Sequence, residues 1–184
     1  MKLSRIKAAC KARQMCYILQ DVQGGNQWIS NGQAFYKLEG IWLDENSARA
    51  IFDIPEKKWR EDWAHRVVDV KDMRAENAEM IYTVWLAEQE VELEPCNMRF
   101  LIYEEIRCFK TPEGRVVYAP AEDFKPLEGD VRYALRRAPG CEPVIAVYHD
   151  LLCEGGVMVF PEGAVGKFRE TLKEYADMEV MDYE

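Results

Sequence analysis

The histidines and aspartates are the first residues of this sequence that suggest chemistry. His65, the dipeptide His149-Asp150 and Asp177 follow the order of the His…His-Asp…Asp ligands found in metal-dependent phosphohydrolases. Those sites need helices to present their ligands, whereas His149-Asp150 ends the β-like run 144–148 and Asp177 lies in an acidic tail. We therefore interpret the dipeptide as a turn at a strand end with an exposed aspartate, and we predict no metal site.

The cysteines offer disulfide, metal or nucleophile chemistry. No Cys-x-x-Cys pair is present, and the spacing of Cys141, His149 and Cys153 matches no zinc pattern. The first residues mix charge into every turn, so we expect no secretory signal and a cytoplasmic protein. We therefore predict reduced thiols, most of them small buried side chains. The full set is Cys10, Cys16, Cys96, Cys108, Cys141 and Cys153.

Motifs for nucleophilic serines and for phosphate cradles are absent from the sequence. None of the serines stands in Gly-x-Ser-x-Gly, and neither Gly-x-Gly-x-x-Gly nor Gly-x-x-x-x-Gly-Lys-Ser/Thr occurs. Acidic pairs such as Glu104-Glu105 and Glu122-Asp123 are expected among 33 acidic residues, and sequence neighbours point apart. A Cys–His pair can still meet in space, so a small hydrolase using carboxylates or such a pair is the alternative hypothesis. We expect no cofactor.

Positive charge is concentrated at the start of the chain. Residues 1–43 carry a net charge of +4, and the other residues carry −13, which gives −9 in total. Such a basic helix can bind phosphates through counterion release, so it is the predicted nucleic-acid-binding segment. A solvated face that complements the acidic remainder is the interpretation that we favour. The bases concerned are Lys2, Arg5, Lys7, Lys11 and Arg13.

Trp59 and Trp63 lie one helical turn apart in a strongly charged segment. Aromatic residues at this spacing usually form the buried stripe of a helix, and this is the interpretation that we favour. The alternative is an aromatic patch that binds a protein partner.

The elements that carry these residues follow from periodicity and turn chemistry. Asn31-Gly32 predicts a hairpin, Asp44 a helix N-cap, and Pro55 the end of that helix. We predict helices over 3–14, 44–54, 56–65, 73–85, 121–127 and 165–175. We predict strands over 15–22, 27–30, 33–38, 66–70, 91–93, 100–109, 115–118, 131–136, 144–148 and 157–160.

Two segments echo each other. Asn31-Gly32 through Tyr36 precedes one predicted helix, and Gly114 through Tyr118 precedes another. The echo suggests a duplicated strand–turn–strand–helix unit in which 15–54 superposes on 100–127. We predict an α+β fold with helices packed on an antiparallel sheet, in one compact unit over 1–184. The predicted half-repeats are 1–70 and 98–178, with 71–97 as a connector and 179–184 as a frayed tail.

The segments Gln27-Trp28-Ile29-Ser30-Asn31-Gly32 and Phe52-Asp53-Ile54-Pro55 resemble a family of uncharacterised proteins from phages and mobile elements of Firmicutes. Gly114-Arg115-Val116-Val117-Tyr118 and Pro143-Val144-Ile145-Ala146-Val147-Tyr148 carry the same resemblance. The similarity covers most of the chain, and its motifs are structural rather than catalytic. The resemblance implies an accessory protein of a mobile element.

The alternation of helices with strand units in two halves also resembles the domain plan of DNA sliding clamps. Bacterial clamps chain three such domains, so a single copy would need to oligomerise to close a ring. This resemblance implies a non-enzymatic interaction protein that acts near DNA, with a protein partner or a second copy as possible partners. No apolar run approaches the roughly 18 residues of a membrane span, so we expect no membrane association.

Overall fold

A computed structural model of the chain describes residues 3–71, 79–101 and 104–160. The helices are α1 Leu3–Arg13, α2 Glu45–Ile51, α3 Glu56–Asp62 and α4 Glu79–Trp85, with a 3-10 helix at Glu122–Leu127. The strands are β1 Met15–Asp21, β2 Asn26–Ser30, β3 Ala34–Leu38, β4 Ala64–Asp69, β5 Gln89–Leu101, β6 Glu105–Lys110, β7 Val116–Pro120, β8 Arg132–Arg137, β9 Val144–His149 and β10 Leu152–Met158. The predicted α+β class is confirmed.

The strands form one mixed sheet in the order β4-β1-β2-β3-β10-β9-β8-β5-β6-β7. β1 and β4 pair in parallel, and the other neighbouring pairs that the structure describes are antiparallel. β5 joins two parts of the sheet, because residues 89–93 pair with β8 and later residues pair with β6. The sheet then curls back, and Phe160 donates a backbone hydrogen bond of 2.8 Å to Tyr118 of β7.

The two faces of the sheet have separate cores, as alternation along the strands requires. One core contains Ile18 and Tyr36 and is covered by α1, α2, α3 and the 3-10 helix. The other contains the next residue along β1, Leu19, together with Phe35, and is covered by α4. Neighbouring residues therefore serve opposite cores, and a sheet buried on both faces explains the near-continuous apolar runs of its strands.

The β2–β3 turn follows the predicted hairpin and owes its shape to Asn31. The Asn31 side-chain oxygen accepts from the backbone N–H of Gln33 (3.1 Å) and of Ala34 (2.8 Å). Gly32 has a φ of +84°, and a Cβ added there would lie 2.3 Å from the sulfur of Met15. Glycine is thus favoured at this position by the backbone conformation, and a side chain there would have to displace the Met15 thioether.

The predicted N-cap of α2 is confirmed. Asp44 caps this helix by accepting a hydrogen bond from the backbone N–H of Ser47 at 2.7 Å. The predicted helix over 56–65 is too long: it ends at Asp62, and His65 belongs to β4. The reason is tertiary, because parallel pairing with β1 takes the chain from Ala64 onward.

The predicted strand over 100–109 is wrong, since β5 ends at Leu101, β6 begins at Glu105, and these two residues pair with each other. No Gly, Pro, Asn or Asp marks that turn in the sequence. β10 also begins earlier than predicted, at Leu152, because antiparallel pairing with β9 extends through its two glycines. The helix predicted over 73–85 begins at Glu79 within the described residues, and the closing helix lies outside them.

The echo is present locally: β2–β3–α2 and β6–β7–3-10 helix each run strand, turn, strand, helix. Tyr36 and Tyr118 are each the third residue of a five-residue strand. Superposition of the two halves stays a prediction. The proposed connector 71–97 contains the start of β5, which hydrogen-bonds to β8 inside the sheet.

None of the helices described in 3–71, 79–101 and 104–160 combines the length and apolar character that crossing a bilayer requires.

All six cysteines are free thiols in the structure. We therefore expect titration of the denatured protein with a thiol reagent, without reductant, to count six thiols. The same count after reduction is the control, and four or fewer thiols before reduction would show that a disulfide forms.

Candidate functional site

An open cleft of about 530 Å³ lies between α1 and the 3-10 helix. Its floor is formed by the alanines of α1, and its rim is charged. Each charged side chain that lines it is in an ion pair. The pairs are Arg5–Glu128 (2.9 Å), Arg13–Asp123 (2.7 Å), Arg13–Glu104 (3.2 Å) and Lys125–Glu122 (2.6 Å).

Asp123 is the centre of this region and is only 2% exposed. One carboxylate oxygen accepts from Arg13 at 2.7 Å, and the other accepts from the Asn31 side-chain amide at 2.7 Å. Its backbone carbonyl accepts from the hydroxyl of Tyr36 at 3.1 Å. The residue therefore joins α1, the β2–β3 hairpin and the 3-10 helix. We call Asn31, Tyr36, Arg13 and Asp123 the buried polar cluster.

The electrostatics of the cluster favour a fixed arrangement over proton transfer. Burial raises the pKa of Tyr36 well above its usual range, and the nearby Asp123 charge raises it further. Burial is the largest single influence and would lower the pKa of Arg13, but the hydrogen bond to Asp123 and the negative charges of Asp123 and Glu104 together raise it. Both groups keep their neutral-pH state, so the phenol is not a ready acid and the guanidinium stays charged.

Cys10, which lies near the cluster, and two cysteines elsewhere in the sheet have raised pKa values. The hydrogen bond that the Cys10 thiol makes to Cys16, reinforced by burial, raises the pKa of Cys10 well above its usual range. Burial raises the pKa of Cys108 and of Cys153 to about 11. Because the thiolate is the nucleophile, these shifts disfavour attack by these cysteines at neutral pH.

The basic helix is placed partly inside the protein. Arg5 forms an ion pair with Glu128, and Arg13 forms one with Asp123 of the buried polar cluster. Lys7 lies 3.4 Å from the carbonyl of Ile51, and Lys11 is exposed. Lys2 lies outside the described residues. The structure therefore brings these bases together on one helix, but two of them already have carboxylate partners.

Trp59 and Trp63 stack on each other with ring centroids 5.5 Å apart, and His65 stacks on Trp59 at 4.5 Å. Trp59 is 4% exposed, and its indole N–H donates to Glu45 at 3.3 Å, while Glu45 also contacts His65. Trp63 is half-buried against the core. Trp59 is the buried residue of α3, whereas Trp63 follows the helix in an extended conformation, so the predicted buried helix stripe holds for Trp59 alone. Trp59 offers little ring surface to a partner.

The His…His-Asp…Asp series is rejected as a metal site from the sequence, and its described histidines lie on β4 and β9, which four other strands separate. His149 is the last residue of β9, and Asp150 follows with a φ of +53° and an exposed side chain, as expected for a turn at a strand end. His65 lies on β4, and Asp177 lies outside the described residues. Within 3–71, 79–101 and 104–160, no three His, Cys, Asp or Glu residues are grouped to hold a metal.

Sequence reasoning missed a surface that the topology assembles. The β1–β2 turn, the exit from β3 and the β9–β10 turn lie at one end of the sheet, because each strand there is antiparallel to its neighbour. Five exposed apolar residues lie at these turns, and we call them the apolar end. They are Val22 (60% exposed), Ile41 (42%), Trp42 (52%), Leu151 (92%) and Leu152 (56%). The sequence signal for this surface was the presence of two apolar pairs between predicted elements, Ile41-Trp42 and Leu151-Leu152.

Acidic side chains border the apolar end on the side of β9 and β10. An open cleft of about 380 Å³ beside it is lined by Glu39, Glu128, Asp130, Glu154 and His149. Asp150, in the β9–β10 turn, is 87% exposed at its side chain. Negative charge thus borders the apolar end on one side, while Lys37 lies beside Ile41 and Lys71 lies at the β1–β2 turn.

The buried polar cluster predicts that replacing Arg13 destabilises the protein more than replacing Arg5, the other ion-paired arginine of α1. Arg13→Ala leaves the Asp123 carboxylate buried without its cation, so we expect the free energy of unfolding to fall by about 3 kcal/mol. Arg5→Ala breaks an exposed pair and should cost below about 1 kcal/mol. Chemical denaturation of both variants measures the difference, and equal losses would show that Asp123 does not depend on Arg13.

Comparison of the chain with models of known protein families, with curated proteins and with solved structures found no match. The resemblances to proteins of mobile elements and to sliding clamps therefore stay predictions. What the protein does has to be argued from its own geometry.

Proposed function

We propose that this chain is a non-enzymatic interaction protein, an accessory protein of a phage or mobile element, and that it binds a protein partner through the apolar end. The observation that carries the proposal is the exposure of Leu151, Leu152 and Trp42 together at one end of the sheet. Exposed apolar residues scattered singly need no explanation, but several at one end are typical of an interaction surface.

The polar chemistry supports binding over catalysis. An active site needs groups that are free to take or give a proton or to attack a substrate. Asp123 has both oxygens bonded, and the charged groups lining the larger cleft are paired with one another. These contacts hold elements together, so they favour a binding protein over the alternative of a hydrolase that uses carboxylates or a Cys–His pair.

The surface chemistry indicates the class of partner. Glu39, Asp150 and Glu154 give one side of the apolar end a negative charge. A partner segment with basic side chains beside apolar ones would satisfy both features, with charge orienting the encounter and apolar burial supplying affinity. A basic amphipathic peptide is the simplest such segment.

The apolar end can be tested with a defined probe, a helical peptide of lysine and leucine. Leu151→Ser should weaken binding of this peptide about tenfold, since burying a leucine contributes roughly 1.5–3 kcal/mol. Isothermal titration calorimetry at moderate salt measures the affinity. Leu86→Ser is the matched control, because Leu86 is 56% exposed and lies outside the apolar end. Equal affinities for both variants would place binding elsewhere and overturn the proposal.

A clamp-like role near DNA is the second candidate. Lys7 and Lys11 support it, since they lie four residues apart on α1 and neither is in an ion pair with the described carboxylates. The pairing of Arg5 and Arg13 works against it by lowering the charge available to phosphates. Any monomer would also have to overcome its net charge of −9 within a Debye length of about 8 Å.

For the DNA role, Lys7→Gln combined with Lys11→Gln should weaken binding to a labelled duplex at low salt. The salt dependence should become shallower by roughly one unit for each lost phosphate contact. Fluorescence anisotropy over a salt series gives both quantities. Lys57→Gln combined with Lys58→Gln on α3 is a control of equal charge. No binding by the unaltered protein, or equal binding by both double variants, would assign α1 to a solvated face.

A further inference from the structure

β4 is the terminal strand at one side of the sheet. It pairs with β1 over its whole length, from Ala64 opposite Met15 to Asp69 opposite Gln20, without a shift in register. None of the strands described in 3–71, 79–101 and 104–160 pairs with its other edge. A regular, unpaired edge is a template for another strand.

Two backbone hydrogen bonds show which residues face that open edge. Ala64 donates to the carbonyl of Gln14, and Val70 donates to the carbonyl of Gln20, each at 3.0 Å. Backbone groups alternate in direction along a strand, so the even-numbered residues bond to β1. The N–H and C=O groups of His65, Val67 and Asp69 therefore point outward.

The edge lacks the features that usually block strand addition. β4 has no proline and no bulge, and the central outward residue, Val67, is apolar and 37% exposed. Arg66 and Asp69 are exposed and charged, which would guard the edge against an arbitrary strand. Because the edge carries charges of both signs, it repels strands whose charges do not match and can pair with a strand whose charges are complementary.

We propose that β4 pairs with β4 of a second copy of this chain, antiparallel, about a two-fold axis at Val67. In this register Val67 lies opposite Val67 of the second copy, and His65 lies opposite Asp69. These pairs each exchange two backbone hydrogen bonds. The inference is independent of the function proposed for the apolar end.

Side-chain chemistry selects this register over its neighbours. Moving the axis to Arg66 places two arginines opposite each other, and moving it to Val68 places the apolar Val67 opposite the charged Asp69. Like charges directly opposite each other are destabilising. With the axis at Val67, the imidazole N–H of His65 can donate to the Asp69 carboxylate. The axis at Val67 sets His65 against Asp69 twice and joins the exposed valines. The edge is thus complementary to itself.

Sedimentation velocity over a concentration series tests the pairing. The unaltered chain should pass from the monomer mass to twice that mass as concentration rises. Val67→Pro removes an outward N–H while leaving the bonds to β1, so the dimer dissociation constant should rise at least about tenfold. Val67→Thr keeps the N–H and the β-branched shape and is the control. Leu151→Ser, in the apolar end, should leave self-association unchanged.

Amide hydrogen exchange of the unaltered protein gives a test that requires no variant. Protection of the His65, Val67 and Asp69 amides should appear at high concentration and vanish on dilution, while the Arg66 and Val68 amides stay protected throughout. Asp69→Lys, which sets Lys opposite His65, should weaken the dimer as well. A monomer at all concentrations, or concentration-independent exchange at the three outward amides, would overturn the proposal.

Discussion

The rest of the structure depends on the pairing of a buried carboxylate, Asp123, with the guanidinium of Arg13. A carboxylate this deeply buried is tolerated only when it is paired and its remaining lone pairs are bonded. The Asn31 amide supplies that further bond, and the Tyr36 hydroxyl bonds to the same residue's carbonyl. α1, the β2–β3 hairpin and the 3-10 helix are therefore held together by polar groups, each of which would lack a hydrogen-bond partner without the others. The polar contact fixes their mutual arrangement, and the apolar cores supply most of the stability.

Asn31 shows how one side chain links local and tertiary structure. Its oxygen shapes the β2–β3 turn, and its nitrogen donates to Asp123. The sequence signal of Asn31-Gly32 predicted the turn, because turn chemistry is local. It did not predict the bond to Asp123, which is 92 residues away. The same limit applies to Arg13, since a base on a helix gives no indication of which carboxylate will bury its charge.

The same division between local and tertiary contacts separates the parts of the fold that the sequence predicts from those that it does not. α2 with its Asp44 cap and the hairpin at Asn31 were predictable from neighbouring residues. The start of β4, the turn between β5 and β6 and the early start of β10 depend on strand pairing, which adjacent residues do not encode. The apolar end was unpredictable for the same reason. Leu151 and Trp42 are distant in sequence, and only the order β3-β10-β9 brings their turns to one end.

The two sides of the sheet differ in a way that composition cannot reveal. At one side the chain returns after β10, and Phe160 bonds to Tyr118 of β7, so that edge is partly satisfied within the molecule. At the other side β4 keeps a regular outward row of backbone groups. Within the described residues the two sides of the sheet are therefore unequal: one terminal strand receives a backbone hydrogen bond from the returning chain, and the other pairs with no second strand. The order of strands, rather than any sequence motif, decides which backbone groups of the described strands lie at such an edge.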